Sequence, residues 1–376
     1  MTAQRRDTSI GLHFPLKGLQ ISAAELAGDA SAMYPFMGPI RQAIQWWYQH
    51  EEWLEISTSG STGNPRTVSF NRKQILGSIS RTAQALGLMG AQKALLCIDP
   101  NYIGGKMMLF RALQSGMDLI CVEPTSNPLL EDLPLLDFAA FVPLQVDTIL
   151  SNPASASRFT SIETVIIGGA AINPSLENKL SGSRNRVFQT YGMTETLSHI
   201  ALRNLSMGEQ DFKPLPGIRI TKDGRGCLIA EIPEFERPVV TNDLIEVTGN
   251  DRFKWIGRID NVINSGGVKI QPESLESKIS DVLEKFETIS GFFIAGKPDE
   301  RLGEQITLVI ECRRKESPDI HAIRNSIQST INRFEMPREI RMVEEFTKTP
   351  GGKLDRRATL AKSYLIDTDS GHNHGM

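Results

Sequence analysis

The sequence predicts an α/β protein. A large N-terminal domain of mostly parallel, helix-flanked sheets carries an antiparallel β subdomain, and a small mobile α+β C-terminal domain follows. Three observations predict this. Residues from the forties to about Thr190 alternate short apolar runs with amphipathic helical patterns. From Pro214 to Gly257 the helical patterns give way to strand-like runs joined by polar turns. The length, 376 residues, exceeds what one hydrophobic core usually organises. The expected divisions are 1–257, 258–365 and a polar, disordered tail at 366–376.

After an irregular opening, "FMGPIRQAIQWWYQ" places Ile40, Ile44 and Trp47 at helical spacing. "EWLEIS" reads as a strand. Asn71 is positioned to cap the helix "RKQILGSISRTAQALGL", which runs into glycine as helices often do. "ALLCI", "DLICV", "AFV", "TVIIG" and "RVFQT" read as further strands, with the helix "GGKMMLFRALQSG" among them. Such alternation favours a parallel sheet, whose ligands gather at the carboxyl ends of the strands. "GIRITKDGRGCLIAEI" turns at Asp-Gly, and "LIEVTGNDRFKWIG" turns at Gly249-Asn250-Asp251. Beyond Gly257, the helix "PESLESKISDVLEKF" starts on Pro272. The strands "GFFIAG" and "QITLVIECR", the helix "IHAIRNSIQSTINRF" and the strand "EIRMVEEF" complete the smaller unit.

Bulk composition excludes several classes. Hydrophobic residues make up 40% and charged residues 23%, and the net charge of -3 argues against a broad basic surface for nucleic acid. No run approaches the roughly 20 apolar residues of a membrane span, and no apolar run follows the basic start "MTAQRR", so neither membrane insertion nor a signal peptide is expected. The four cysteines are far apart without a C-x-x-C pair, which fits neither a disulfide framework nor a zinc site. A cytoplasmic location is expected.

Four short segments carry chemistry. "STSGSTGNPRT" crowds hydroxyls and glycines before Arg66. Successive N–H groups in such a loop form an anion nest, with an ordinary surface turn as the alternative. "QTYGMTETLSH" sets Thr194 and Glu195 on a turn after a strand. One carboxylate there suits magnesium shared with substrate phosphates, or simply a helix N-terminus. In the third segment Asp243 is able to accept two ribose hydroxyls, and "GRIDNVINSGGVKI" reads as a hinge or as a structured interdomain turn. In the fourth, "KTPGGKLDRR", a tight turn presents Lys353, which is either solvated or set to meet developing charge on oxygen.

Together and in this order, the segments resemble the signature of the adenylate-forming superfamily: acyl-CoA synthetases, peptide-synthetase adenylation domains and luciferases. Thr58–Arg66 matches [ST]-S-G-[ST]-T-G-x-P-[KR], and Tyr191–Glu195 matches Y-G-x-T-E. Asp243 matches the ribose aspartate, Gly257–Ile270 matches G-R-x-D-x-x-I-x-x-G-G-x-K-I, and Pro350–Arg357 approximates P-x-x-G-K-x-x-R. The resemblance covers roughly Trp53 to Arg357. It implies that Thr58, Ser59, Gly60, Ser61, Thr62, Gly63 and Arg66 hold the ATP phosphates. Gly168, Gly169, Ala170 and Tyr191 would meet adenine, and Thr194 would approach the α-phosphate while Glu195 binds magnesium. Asp243 and Arg258 would bind the ribose side, and Asp260 would be the hinge. Lys353 would promote adenylation, and Gly266 and Gly267 would approach the pantetheine arm of coenzyme A. Arg66 stands where lysine is commoner.

The short region before the phosphate loop, "YGMTETLSHIALR" and "NYIGGKMMLFRAL" are similar to o-succinylbenzoate–CoA ligases of menaquinone biosynthesis. That likeness implies a small carboxylic acid, o-succinylbenzoate, as a partner beside ATP and CoA, with a homodimer as one admissible assembly. The substrate keeps one carboxylate untouched, so its pocket calls for a cation. Lys106 and His199 are the candidates, with a surface role for Lys106 and a core role for His199 as alternatives. Other acyl- or aryl-CoA synthetases, a stand-alone adenylation domain and an inactive nucleotide-binding module are the rival readings.

Overall fold

The computed structural model describes residues 10–15, 19–28, 34–58, 66–88, 92–249, 251–312, 318–348 and 354–365. Its chain order begins with β1 (Gly11–Phe14), β2 (Leu19–Ser22), α1 (Ala23–Gly28), α2 (Met37–Tyr48), β3 (Trp53–Thr58), β4 (Arg66–Asn71) and α3 (Arg72–Leu86). It continues through β5 (Lys93–Leu96), α4 (Ile103–Ser115), β6 (Asp118–Cys121), β7 (Phe138–Phe141), α5 (Pro143–Leu150) and α6 (Pro153–Ser161). Next come β8 (Thr164–Ile167), α7 (Pro174–Leu180), β9 (Arg186–Gly192), β10 (His199–Asn204) and β11 (Lys213–Pro214).

A nine-stranded sheet with order β11-β10-β9-β8-β7-β5-β6-β1-β2 organises this half. The six strands from β9 to β1 are parallel, and the outer pairs are antiparallel. Strand periodicity explains why both faces are covered. In β7, Phe138 and Ala140 join the core under α2, α3 and α4, while Ala139 and Phe141 join the core under α5, α6 and α7. Residues Ala94 to Cys97 divide the same way. Sequence reading missed β1 and β2. Four-residue strands at a sheet edge carry too few alternations to stand out, and the mates that order them lie elsewhere: Leu12 and His13 pair with Leu119 and Ile120.

The helix signals hold. Asn71 Oδ1 accepts from Gln74 N at 2.9 Å, Gln74 Oε1 accepts from Asn71 N at 2.8 Å, and Gly87 ends α3 with φ 72°. The hairpin β3–β4 pairs its strands from Trp53–Asn71 to Thr58–Arg66. At its root, the Arg72 guanidinium lies 4.9 Å from the Trp46 ring centre and 5.0 Å from that of Trp47.

A four-stranded antiparallel sheet follows: β12 (Arg219–Lys222), β13 (Cys227–Glu231), β14 (Val239–Val247) and β15 (Phe253–Arg258). It packs Leu228, Ala230, Ile245 and Phe253 into the first core. The remaining elements are β16 (Ile263–Ser265), β17 (Val268–Ile270), α8 (Pro272–Leu283), β18 (Gly291–Asp299), β19 (Gly303–Glu311), α9 (Ile320–Gln328), β20 (Glu339–Val343), α10 (Arg356–Lys362) and β21 (Tyr364–Leu365). Their six-stranded sheet encloses cores drawn only from Ile263 onward. The helix expected over 320–334 stops at Gln328; the chain then turns, with Asn332 Oδ1 accepting from Phe334 N and Glu335 N. No described helix is long and apolar enough to cross a membrane. The expected tail lies outside the described residues.

Candidate functional site

The site grows from the carboxyl end of β9. After Gly192 the chain makes a single 3₁₀ turn, Thr194–Thr196, and returns as β10. A Cβ on Gly192 would lie 2.4 Å from Ser198 O, so only glycine permits this tight return. Leu197, buried, has φ 66° and ψ -46°, a strained left-handed conformation for a branched side chain. The turn leaves Glu195 exposed and Thr194 half-buried.

Tyr191 and Asp243, 52 residues apart in sequence, meet directly: the phenol donates to Asp243 Oδ2 at 2.7 Å. Burial and the Asp243 carboxylate push the phenol well above its ordinary value, so it stays a donor. The ring packs against Phe212 and Phe253. Arg258 bridges two acids. Its Nη1 lies 3.7 Å from Asp243 Oδ1, and its Nη2 donates to Asp260 Oδ2 at 2.6 Å. Burial would lower the Arg258 guanidinium, but the Asp260 hydrogen bond and the Asp243 charge outweigh it and raise it. Asn242 Nδ2 donates to Asp260 at 3.1 and 3.2 Å. The structure thus joins Tyr191, Asp243, Arg258 and Asp260 in one polar cluster.

A cation that sequence reading missed stands on α4. Arg111 is 2% exposed, its Nε has no hydrogen-bond partner among the described residues, and its Nη2 donates to Ser198 Oγ at 2.8 Å. Among the described residues it has no carboxylate partner. Burial pulls its guanidinium down to about 10. The signal was present in "KMMLFRAL", where one charged residue interrupts a run whose neighbours are all buried.

His199 is buried beside it, with Nε2 3.0 Å from Thr82 Oγ1. Thr82 Oγ1 also lies 3.1 Å from Ser78 O, so a hydroxyl that donates there accepts from Nε2. Burial, then the Arg111 charge, holds His199 well below its usual value.

The other expected residues are dispersed. Lys106 Nζ donates to Pro100 O at 2.8 Å and Asn101 O at 3.0 Å; burial lowers it while Asp99 opposes. Gly168 is half-buried just past β8, and Gly169 and Ala170 are exposed beyond it. Gly266 and Gly267 form the exposed turn between β16 and β17, where Gly266 N donates to Leu302 O at 2.9 Å. Thr58 and Arg66 are described by backbone pairing alone. Ser59, Gly60, Ser61, Thr62, Gly63 and Lys353 lie outside the described residues.

Against known proteins, the family model described as AMP-binding enzyme matches residues 54–223. A solved acyl-CoA synthetase (AMP-forming)/AMP-acid ligase II-like protein from Dyadobacter fermentans is 36% identical, with 90% of this chain and 98% of that chain covered and a TM-score of 0.60. A probable 2-succinylbenzoate–CoA ligase of Mycobacterium tuberculosis is 24% identical over 334 residues, covering 84% of this chain and 85% of the relative. The o-succinylbenzoate CoA synthetase of Bacillus subtilis, solved with its acyl-adenylate intermediate, shares the fold: TM-score 0.71, 20% identity, 83% of this chain and 69% of that one covered.

Proposed function

Because this chain belongs to the AMP-binding enzyme family, we propose that it is an ATP-dependent acid–thiol ligase that activates o-succinylbenzoate as its adenylate and passes the acyl group to coenzyme A. The observation that carries the choice of acid is Arg111. A buried cation without an acidic partner among the described residues, beside Ser198 and just past the Thr194–Glu195 turn, suits the carboxylate of the substrate that does not react. The names of several relatives support the same acid.

In the first step a carboxylate oxygen attacks the α-phosphorus of ATP. The new O–P bond forms as the bond to the bridging oxygen breaks, and pyrophosphate leaves. In the second step the CoA thiolate attacks the acyl carbon, forming C–S and releasing AMP. The Ser59–Arg66 loop holds the phosphates, and Thr194 approaches the α-phosphate. Gly168, Gly169, Ala170 and Tyr191 border the adenine, and Asp243 with Arg258 binds the ribose. Lys353 neutralises charge developing on phosphate oxygen, and Gly266 and Gly267 border the pantetheine arm.

Glu195 fits a magnesium ligand, being an exposed carboxylate on a tight turn without a cationic partner among the described residues. No cluster of three or more metal-ligating side chains occurs among the described residues, which suits an ion that is held largely by phosphates. When bound, magnesium neutralises phosphate charge. Lys106 braces the loop before α4 through Pro100 and Asn101, and His199 packs against Thr82 near Arg111.

The chain divides near Gly257 into domains 1–257 and 258–365 that reorient about Asp260 between the two steps; the separate cores beyond Ile263 support this. Four free, buried cysteines favour a cytoplasmic enzyme. The test is pyrophosphate release from a panel of acids, with and without CoA. o-Succinylbenzoate should be preferred over monocarboxylic aromatic acids and should yield a thioester. Equal turnover of the monoacids would overturn the choice of acid. Lys353→Ala should slow adenylation by roughly 100- to 1000-fold while sparing thioester formation from supplied adenylate.

A further inference from the structure

One buried hydroxyl bonds both ends of the turn that carries Thr194 and Glu195. Thr196 is 2% exposed, and its Oγ1 sits among three backbone groups of the same turn. It accepts from Met193 N at 3.0 Å and shares its single proton between Ser198 O at 2.8 Å and Met193 O at 2.9 Å. Those groups flank the turn on both sides, so the hydroxyl ties its entry to its exit. Ser198 O is the atom against which Gly192 makes its close approach, and Ser198 Oγ is held by Arg111.

Between these ties Leu197 keeps its strained conformation, with Leu197 N donating to Thr194 O at 2.8 Å. Such strain persists only where surrounding bonds over-determine it. Without the Thr196 bonds the turn is free to relax, and the backbone that carries Glu195 is no longer held.

We infer that Thr196 is a positioning residue: its buried hydroxyl clamps the Met193–Ser198 turn and thereby aims Thr194 and Glu195 at the metal–nucleotide. This rests on the reading of Glu195 given above. The residue touches neither substrate nor metal and acts through the turn alone.

The experiment compares Thr196→Val, which keeps the shape and removes the hydroxyl, with Thr196→Ser, which keeps the hydroxyl, and with Glu195→Gln. Magnesium is titrated at saturating ATP while the ATP-dependent shift in melting temperature is followed, and kcat and KM for MgATP are measured in pyrophosphate release. Thr196→Val should raise the half-saturating magnesium about 10- to 100-fold, with Thr196→Ser within about twofold of the parent. A purely structural role would lower the ligand-free melting temperature and leave the magnesium titration unchanged. That result, with Glu195→Gln still weakened, overturns the clamp and leaves the Glu195 reading standing. An unshifted titration in Glu195→Gln overturns that reading and the clamp with it. If Thr196→Val does not fold, Thr196→Ala against Thr196→Ser gives the same comparison.

Discussion

Arg111→Met separates a residue kept for binding from one kept for stability, because the two roles predict opposite signs. Burial pulls the guanidinium down from its ordinary value to about 10. At about 1.4 kcal/mol per pH unit, holding it charged in the ligand-free protein costs roughly 3 kcal/mol. Its one hydrogen bond among the described residues, to Ser198 Oγ, returns about 1.5 kcal/mol, the low end for a bond to a charged group. Methionine matches much of the volume without the charge, so the variant should gain about 1–2 kcal/mol of stability. An arriving carboxylate would supply the missing partner, and a hydrogen bond to a charged group is worth about 1.5–3 kcal/mol, or roughly 10- to 100-fold in KM for the acid. Urea unfolding of the ligand-free protein and initial-rate kinetics read the two effects separately, and KM for ATP should move little. A less stable variant with an unchanged KM for the acid would refute the reasoning, since Arg111 would then be a satisfied core residue.

Three further outcomes are expected. His199 is held well below 6.5 when folded, so the unfolded chain binds the proton first, and stability should fall as pH drops below about 6.5, by at most about 1.4 kcal/mol per pH unit; urea midpoints at pH 7 and pH 5 should show this slope, and His199→Gln should flatten it. Gly257→Ala places a Cβ 2.0 Å from Gln271 Nε2 at φ 150° and should cost about 1–3 kcal/mol, part of which Gln271→Ala should restore in a double-mutant cycle followed by thermal melting. Arg356 forks onto Glu276, donates to Ile294 O at 2.9 Å and is one-quarter exposed, so Arg356→Ala should cost about 2–3 kcal/mol in urea unfolding, below the value for a fully buried pair.

Local pattern carried much of this protein. Short apolar runs marked β5 to β8 because a strand buried on both faces needs no polar alternation, whereas β9 alternates buried and more exposed residues. Asn71, Gly87 and Pro272 marked helix ends because caps act through neighbouring residues. The short segments around Gly192, Asp243 and Gly257 were legible for the same reason, since each needs particular residue types at fixed spacing. β1 and β2 were not legible, because their order comes from pairing with a strand about a hundred residues away.

Tertiary structure alone decided that Tyr191 donates to Asp243, that Arg258 is shared by two aspartates, and that Arg111 has no acid beside it among the described residues. The same holds for the burial of His199 against Thr82. The physical reason is the same in each case. Propensity and periodicity report what a residue does to its own few neighbours. The charge state and hydrogen-bond partners of a buried group depend on which distant surface closes over it, and that is set only once the sheets and helices have packed.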